Sequence, residues 1–306
     1  VPDPAAILGG LAFLGVSGGL VYAGAVAGVV REALRPERKS MGWALARGLP
    51  SEPTAWGLPA REWTFEFEGA RCPVFEIGSD DPAAPTAIVV HGFARSRYDS
   101  LARLGPLLAH GQRFLLPDLP GHGDASGRGT SLGTHEDRFI GALAAHATTG
   151  ELLLMGHSLG ATAVIHAATS DALRPRTTGV VALAPYERLR TPLGARLALR
   201  GLPRQALVPP ALTAMGLVGV KERSTRESAA RLEAPLVVLA GEADPVTPLE
   251  EARAIATAAP LSRFASIAHA RHDDFASLGR DELVAGLAWL AHGQGTAREA
   301  TARPTA

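Results

Sequence analysis

The segment 152–169 constrains this chain more than any other. Leu152, Leu153, Leu154 and Met155 run without interruption into Gly156-His157-Ser158-Leu159-Gly160, and from there into a helix-forming stretch of Ala, Thr, Val and Ile. Four large apolar residues in a row suit a strand buried on both faces. Glycines two places either side of Ser158 suit a strand that turns sharply into a helix, because such a turn leaves no room for a Cβ. The turn exposes the serine hydroxyl at a helix N-terminus. There, unpaired backbone N–H groups favour the negative charge that develops when an oxygen attacks an acyl carbon. Ser158 is therefore the candidate nucleophile.

Further short apolar runs at 87–90, 114–116, 180–184 and 236–240 predict more buried strands, and helix-length stretches at 97–110 and 134–147 lie between them. Strand and helix alternating in this way predict an α/β fold, with a mostly parallel sheet flanked by helices. Ahead of it, 63–67 and 73–77 with a turn at 68–70 read as an antiparallel hairpin. Cys72 lies in that hairpin as the single cysteine, which rules out an internal disulfide and reads as a small packed or edge residue. The interval 186–232 breaks the alternation with Pro192, Pro203, Pro209 and Pro210 among apolar pieces, and predicts a small helical cap over the rim of the sheet. The folded domain is expected over 61–292, after a linker at 37–60 rich in Pro and Gly, with 293–306 as a disordered tail.

Residues 5–30 carry no charged side chain, and a helix of that length crosses a hydrocarbon layer of about 30 Å. The expectation is an N-terminal apolar helix over 1–36 that makes a single transmembrane pass. Nothing basic precedes Ile7, which disfavours a cleavable signal peptide. A leader ahead of Val1 would restore that alternative and a secreted or periplasmic domain. Arg31, Arg35, Arg38 and Lys39 follow the apolar run and predict a catalytic domain held in the cytoplasm. Gly15, Gly19, Ala23 and Ala27 could form a small-residue stripe for helix contact. Thirty basic and thirty acidic side chains cancel without a basic block, so nucleic acid is not an expected partner.

A serine hydroxyl needs a histidine to accept its proton and a carboxylate to orient that histidine. After the strand at 235–240, Gly241-Glu242-Ala243-Asp244-Pro245 puts Asp244 in a loop at the carboxyl edge of the sheet, where active groups gather. Glu242 and Glu187 are rival acids, and capping the helix at 249–258 is the structural alternative for Asp244. After a last strand at 264–268, His272 stands beside the acidic start of the closing helix, and His269 nearer the strand is its rival. Asp273 and Asp274 serve that helix's N-terminus. His157 should project away from Ser158. His91-Gly92-Phe93 follows the strand at 87–90, so the backbone N–H groups of Phe93 and Leu159 are the candidate oxyanion donors. His91 reads as a hydrogen-bonded structural residue, and Asp118 and His122 as braces of the next strand's turn. No close helical pair of metal ligands, phosphate loop or dinucleotide fingerprint is present, so neither metal nor cofactor is expected.

Taken together, His91-Gly92-Phe93, Asp118-Leu119-Pro120-Gly121-His122-Gly123, Gly156-His157-Ser158-Leu159-Gly160, Asp244 and His272 resemble the α/β-hydrolase superfamily over roughly 61–290. The resemblance implies an eight-stranded, mostly parallel sheet, a triad of Ser158, Asp244 and His272, and no cofactor. The serine disfavours the relatives with an aspartate nucleophile. One departure is Arg271-His272-Asp273-Asp274, where many relatives carry small residues and glycine ahead of the histidine. The implied activity is cleavage of a carboxylic ester or related acyl bond in a small, apolar or lipidic substrate, through an acyl-enzyme on Ser158. Acyl transfer by the same residues is the alternative. A non-catalytic binding protein would be expected to lack a triad member, and none is missing.

Overall fold

The computed structural model describes the backbone of residues 4–127 and 129–301, and the side chains of 17–127 and 129–292. Eight strands form one sheet: β1 (Ala60–Phe67), β2 (Ala70–Gly78), β3 (Thr86–Val90), β4 (Arg113–Pro117), β5 (Leu152–His157), β6 (Thr177–Leu183), β7 (Leu236–Gly241) and β8 (Ser262–Ile267), in the order β1-β2-β4-β3-β5-β6-β7-β8. Every residue of β3, β4 and β7 is buried, which is why these strands read as unbroken apolar runs. Their alternate side chains feed two cores. Ile88, Val90, Leu154, Val180 and Val238 enter one, while Ala87, Val89, Met155, Val181 and Val237 enter the other.

The sheet is mixed, which corrects the expectation of a mostly parallel one. The five pairings that link β4, β3, β5, β6, β7 and β8 are parallel. The opening hairpin is antiparallel and joins the sheet through an antiparallel β2–β4 pairing. Its two-residue turn places Glu68 and Gly69 at φ 49° and 78°, the left-handed pair that matches strand twist. Cys72 is buried in β2, and burial pushes its thiol pKa up to about 12, so it is a packing residue.

The helices are α1 (Pro4–Leu34), α2 (Met41–Leu45), α3 (Arg97–Ala102), α4 (Glu136–Ala147), α5 (Leu159–Ala168), α6 (Arg190–Leu199), α7 (Arg204–Leu217), α8 (Thr225–Ala229), α9 (Leu249–Ala258) and α10 (Arg280–Thr301). The cap interval 186–232 holds α6, α7 and α8, which turn Leu193, Leu197, Leu207, Ala211 and Met215 inward. The closing helix continues through 293–301 of the segment expected to be a disordered tail, since its Ala, Gln, Arg and Glu content is helix-forming. Residues 302–306 lie outside the described residues.

The predicted single-pass span is not supported, and with it goes the basis for a membrane partner or anchored location. Among the described residues no helix is long and apolar enough to cross a membrane, and the side chains of 5–16 lie outside them. Only the last turns of α1 pack an apolar face against protein, while Leu20 and Val21 further up the helix are exposed. Val29 and Ala33 are buried in the first core, Tyr22 Oη donates to Ala206 O at 2.7 Å, and Glu32 pairs with Arg200 at 2.5 Å. The segment expected as a free linker is also fastened down. Arg38 donates to Ala125 O and Gly127 O, Ala44 is fully buried, and Trp56 Nε1 donates to Leu101 O at 3.0 Å.

Beneath the sheet edge, Asp118 is completely buried and accepts from Arg97 N at 2.6 Å and Asp124 N at 2.8 Å, with the Arg97 guanidinium paired to it. Removing one partner of a buried pair strands the other charge. Asp118→Ala is therefore expected to cost about 3–5 kcal/mol of stability, read as a fall in the urea midpoint. Asp124→Ala, at the exposed rim of the same network, should move it far less.

Candidate active site

Ser158 follows β5 and caps α5, with φ 53° and ψ −112°. A non-glycine residue in that region is strained, and the surroundings hold it there. A Cβ on Gly156 would lie 2.2 Å from Gly160 C, and one on Gly160 would lie 2.4 Å from Val90 O, so only glycine lets strand and helix approach this closely. The serine is 2% exposed.

Two loops at the carboxyl edge of the sheet bring in the other groups. Asp244 follows β7 and His272 follows β8. His272 Nε2 lies 3.0 Å from Ser158 Oγ, and His272 Nδ1 lies 2.7 Å from Asp244 Oδ2. The carboxylate only accepts, so it fixes the imidazole proton on Nδ1 and leaves Nε2 free to accept from the serine hydroxyl. Asp244 is itself held: Oδ1 accepts from Val246 N at 2.7 Å and Thr247 N at 3.1 Å, and Oδ2 accepts from Thr247 Oγ1 at 2.6 Å. Burial pushes the Asp244 carboxyl up, but the hydrogen bond and charge of His272, aided by Thr247 and Val246, outweigh it and hold the carboxyl below its ordinary value.

The rival residues stand elsewhere. His269 is exposed in the turn after β8, Glu242 is exposed and accepts from Ser266 Oγ, and Glu187 accepts from Ser224 Oγ and Arg226 N within the cap. His91 is fully buried, with Nδ1 donating to Gly92 O at 2.8 Å and Nε2 accepting from Leu119 N at 3.0 Å, a structural role that spans two strand ends. His122 is also buried, donates to Pro120 O and packs beside His91. Gly92 passes so close to the elbow that a Cβ on it would lie 2.9 Å from His157 Nδ1, and the next residue, Phe93, lines the same pockets as Ser158. Leu159 is the first residue of α5, and neither its N–H nor that of Phe93 donates to a protein acceptor among the described residues.

Sequence reasoning missed what His157 does. Its Nε2 donates to the backbone oxygen of His272 at 2.7 Å, while burial, with help from Arg103 and His272, holds its ring neutral. The residue beside the nucleophile thus steadies the loop that carries the imidazole. Adjacency to Ser158 was the only signal in the sequence, and it carried no hint of the partner 115 positions away.

The alpha/beta hydrolase family model matches residues 87–302, more than half of the chain. The chain belongs to the alpha/beta hydrolase family. No curated protein sequence matches this hydrolase. Its solved neighbours include an esterase of Pyrococcus furiosus, at 18% identity and TM-score 0.62 over 78% of this chain and 92% of the other. They also include Est1E from Butyrivibrio proteoclasticus with ferulic acid bound, at 18% identity and TM-score 0.57 over 75% and 99%. A membrane phospholipase A described as a bacterial virulence factor aligns at 18% identity and TM-score 0.60 over 95% and 99%. At these identities the likeness establishes the fold.

Two pockets of this hydrolase meet at Ser158. One is apolar and narrow, about 60 Å³, with Leu159, Leu193 and Leu197 on one side and Val29 and Ala33 of α1 on the other. The other is polar, about 340 Å³, and is bordered by His272, Asp273 and three arginines. Helix α1, whose predicted role was to cross a membrane, is thus a wall of the apolar pocket.

Proposed function

We propose that this protein hydrolyses carboxylic esters through an acyl-enzyme on Ser158. The observation that carries the reading is the continuous chain from Ser158 Oγ to His272 Nε2 and from His272 Nδ1 to Asp244. In this reading His272 takes the serine proton as Oγ attacks the ester carbonyl, and the N–H groups of Phe93 and Leu159 hold the tetrahedral oxyanion. His272 then gives its proton to the departing alkoxide, which leaves as an alcohol. In the second half it takes a proton from water, whose oxygen attacks the acyl carbon, and returns that proton to Oγ as the acyl–Oγ bond breaks and the carboxylic acid is released. Asp244 holds the imidazole orientation and stabilises the imidazolium at each stage, remaining ionised throughout.

The apolar pocket is the natural place for the acyl chain, and an apolar acyl group agrees with neighbours described as an esterase and a phospholipase A. The pocket is small and walled by Val29, Ala33, Leu193 and Leu197, so the expected preference among 4-nitrophenyl esters is a short chain, with kcat/KM greatest at short chains and falling for long ones. The test is twofold: a fluorophosphonate should form a covalent adduct whose mass maps to Ser158, and the ester series should turn over with that maximum. No adduct, or an adduct on another serine, would overturn the mechanism. A maximum at long chains would overturn the pocket assignment alone.

A further inference from the structure

The polar pocket holds a charge that the hydrolytic reading does not use. Arg95, Arg196 and Arg271 border it, against Asp273 and Asp274. Arg95 is neutralised by Asp273 at 2.6 Å and Asp99 at 3.5 Å, and Arg271 is exposed to water. Arg196 differs from both. It projects from α6 into the junction of the two pockets, is partly buried, and lies with its guanidinium 5.1 Å from the centroid of the Phe93 ring. Among the described residues it has neither an ion pair nor a hydrogen bond, and the nearby Asp273 is already engaged by Arg95. Burial and the repulsion of Arg95 both disfavour its charge, yet a guanidinium stays protonated in proteins.

A cation kept half out of water without a counter-ion costs free energy that an arriving anion recovers. We propose that Arg196 is a specificity-determining residue that binds an anionic group on the alcohol portion of the substrate, so that the preferred esters carry a phosphate or carboxylate beyond the ester oxygen. The proposal rests on the acyl-enzyme reading. With the acyl chain in the apolar pocket, the alcohol faces the polar one, where Arg196 presents its fork. Stacking on Phe93 orients the planar guanidinium and leaves N–H groups for a bidentate contact.

The experiment uses the full chain and three butanoyl esters, of glycerol 3-phosphate, glycolate and glycerol. These bear a phosphate, a carboxylate and no charge on the alcohol side. In the wild type, kcat/KM for at least one anionic ester should exceed that for the neutral ester by about ten- to a hundredfold, the range of a charge-assisted contact. The larger ratio identifies which anion the site takes. Arg196→Met keeps the stem over Phe93 and should collapse that ratio towards one, mainly through KM, with partial recovery in Arg196→Lys. Equal loss on all three esters would mean that Arg196 only packs against Phe93, and an unchanged ratio would mean that it touches no substrate anion; either overturns the proposal. Fluorophosphonate labelling separates the two levels of argument. A wild type that labels and cleaves the glycerol ester without charge preference refutes the role of Arg196 alone, whereas one that does not label refutes the acyl-enzyme beneath it.

Discussion

Ser158→Ala lowers kcat for ester hydrolysis by about 10⁶-fold, and His272→Ala by a similar factor. The two act as one unit, because an imidazole without a hydroxyl to deprotonate does nothing and a hydroxyl without the imidazole is a poor nucleophile at neutral pH. The double variant should therefore be no slower than either single one, with a residual rate about 10³–10⁴-fold over water from the oxyanion donors and binding alone. Folding is not the cause of the loss. Alanine occupies the same left-handed backbone position as serine, and the Ser158 hydroxyl makes its one side-chain hydrogen bond to His272. Urea midpoints should stay close to wild type while the fluorophosphonate signal vanishes in Ser158→Ala. Retention of more than about one part in a hundred of the activity would place the nucleophile elsewhere, because no triad with a missing member works that well.

The site was legible in the sequence to the extent that its constraints are local. The elbow needs a buried strand, two glycines and a helix in immediate succession, and all of these occupy one short window. Asp244 and His272 could be proposed together because each follows a strand, and strand ends of a parallel region share one edge. What depended on distant partners was not legible. The apolar run in α1 has the same composition whether it faces lipid or protein, and the burial of Val29 and Ala33 beside the cap helices shows contact with protein for the end of the helix alone, with Leu20 and Val21 exposed. The segment at 37–60 looked like a linker because its contacts, such as Trp56 with the Leu101 carbonyl, are made to residues far along the chain. The mixed character of the sheet follows from where the hairpin attaches, a choice that the residues of β1 and β2 do not encode. The missing counter-ion of Arg196 belongs to the same class, since an arginine in an apolar helix gives no sign of which carboxylates stand near it.

Asp244→Asn is the prediction that tests the orienting role, with an expected fall in kcat of about 10⁴-fold. The variant keeps the shape of the site and reverses one polarity. Its amide oxygen would stay where Oδ1 accepts from Val246 N and Thr247 N, which turns the NH₂ towards His272 Nδ1. A donor there makes Nδ1 the acceptor and moves the imidazole proton to Nε2, where it points at Ser158 Oγ and cannot take a second proton. The same substitution has a signature in stability. The Asp244 carboxyl is held below its ordinary value of 3.8 in the folded protein, so near and below that pH the unfolded chain binds more protons than the folded one. Wild-type stability therefore gains from this group above its unfolded pKa and loses the gain as pH falls through the folded one. In Asp244→Asn that part of the acid limb flattens, measured as urea midpoints between pH about 2 and 5. Glu242→Gln, at the exposed neighbouring acid bound to Ser266, should change neither rate nor acid limb appreciably. If Glu242→Gln were the slower variant, the orienting carboxylate would be Glu242, and the proton arrangement inferred for His272 would have to be rebuilt around it.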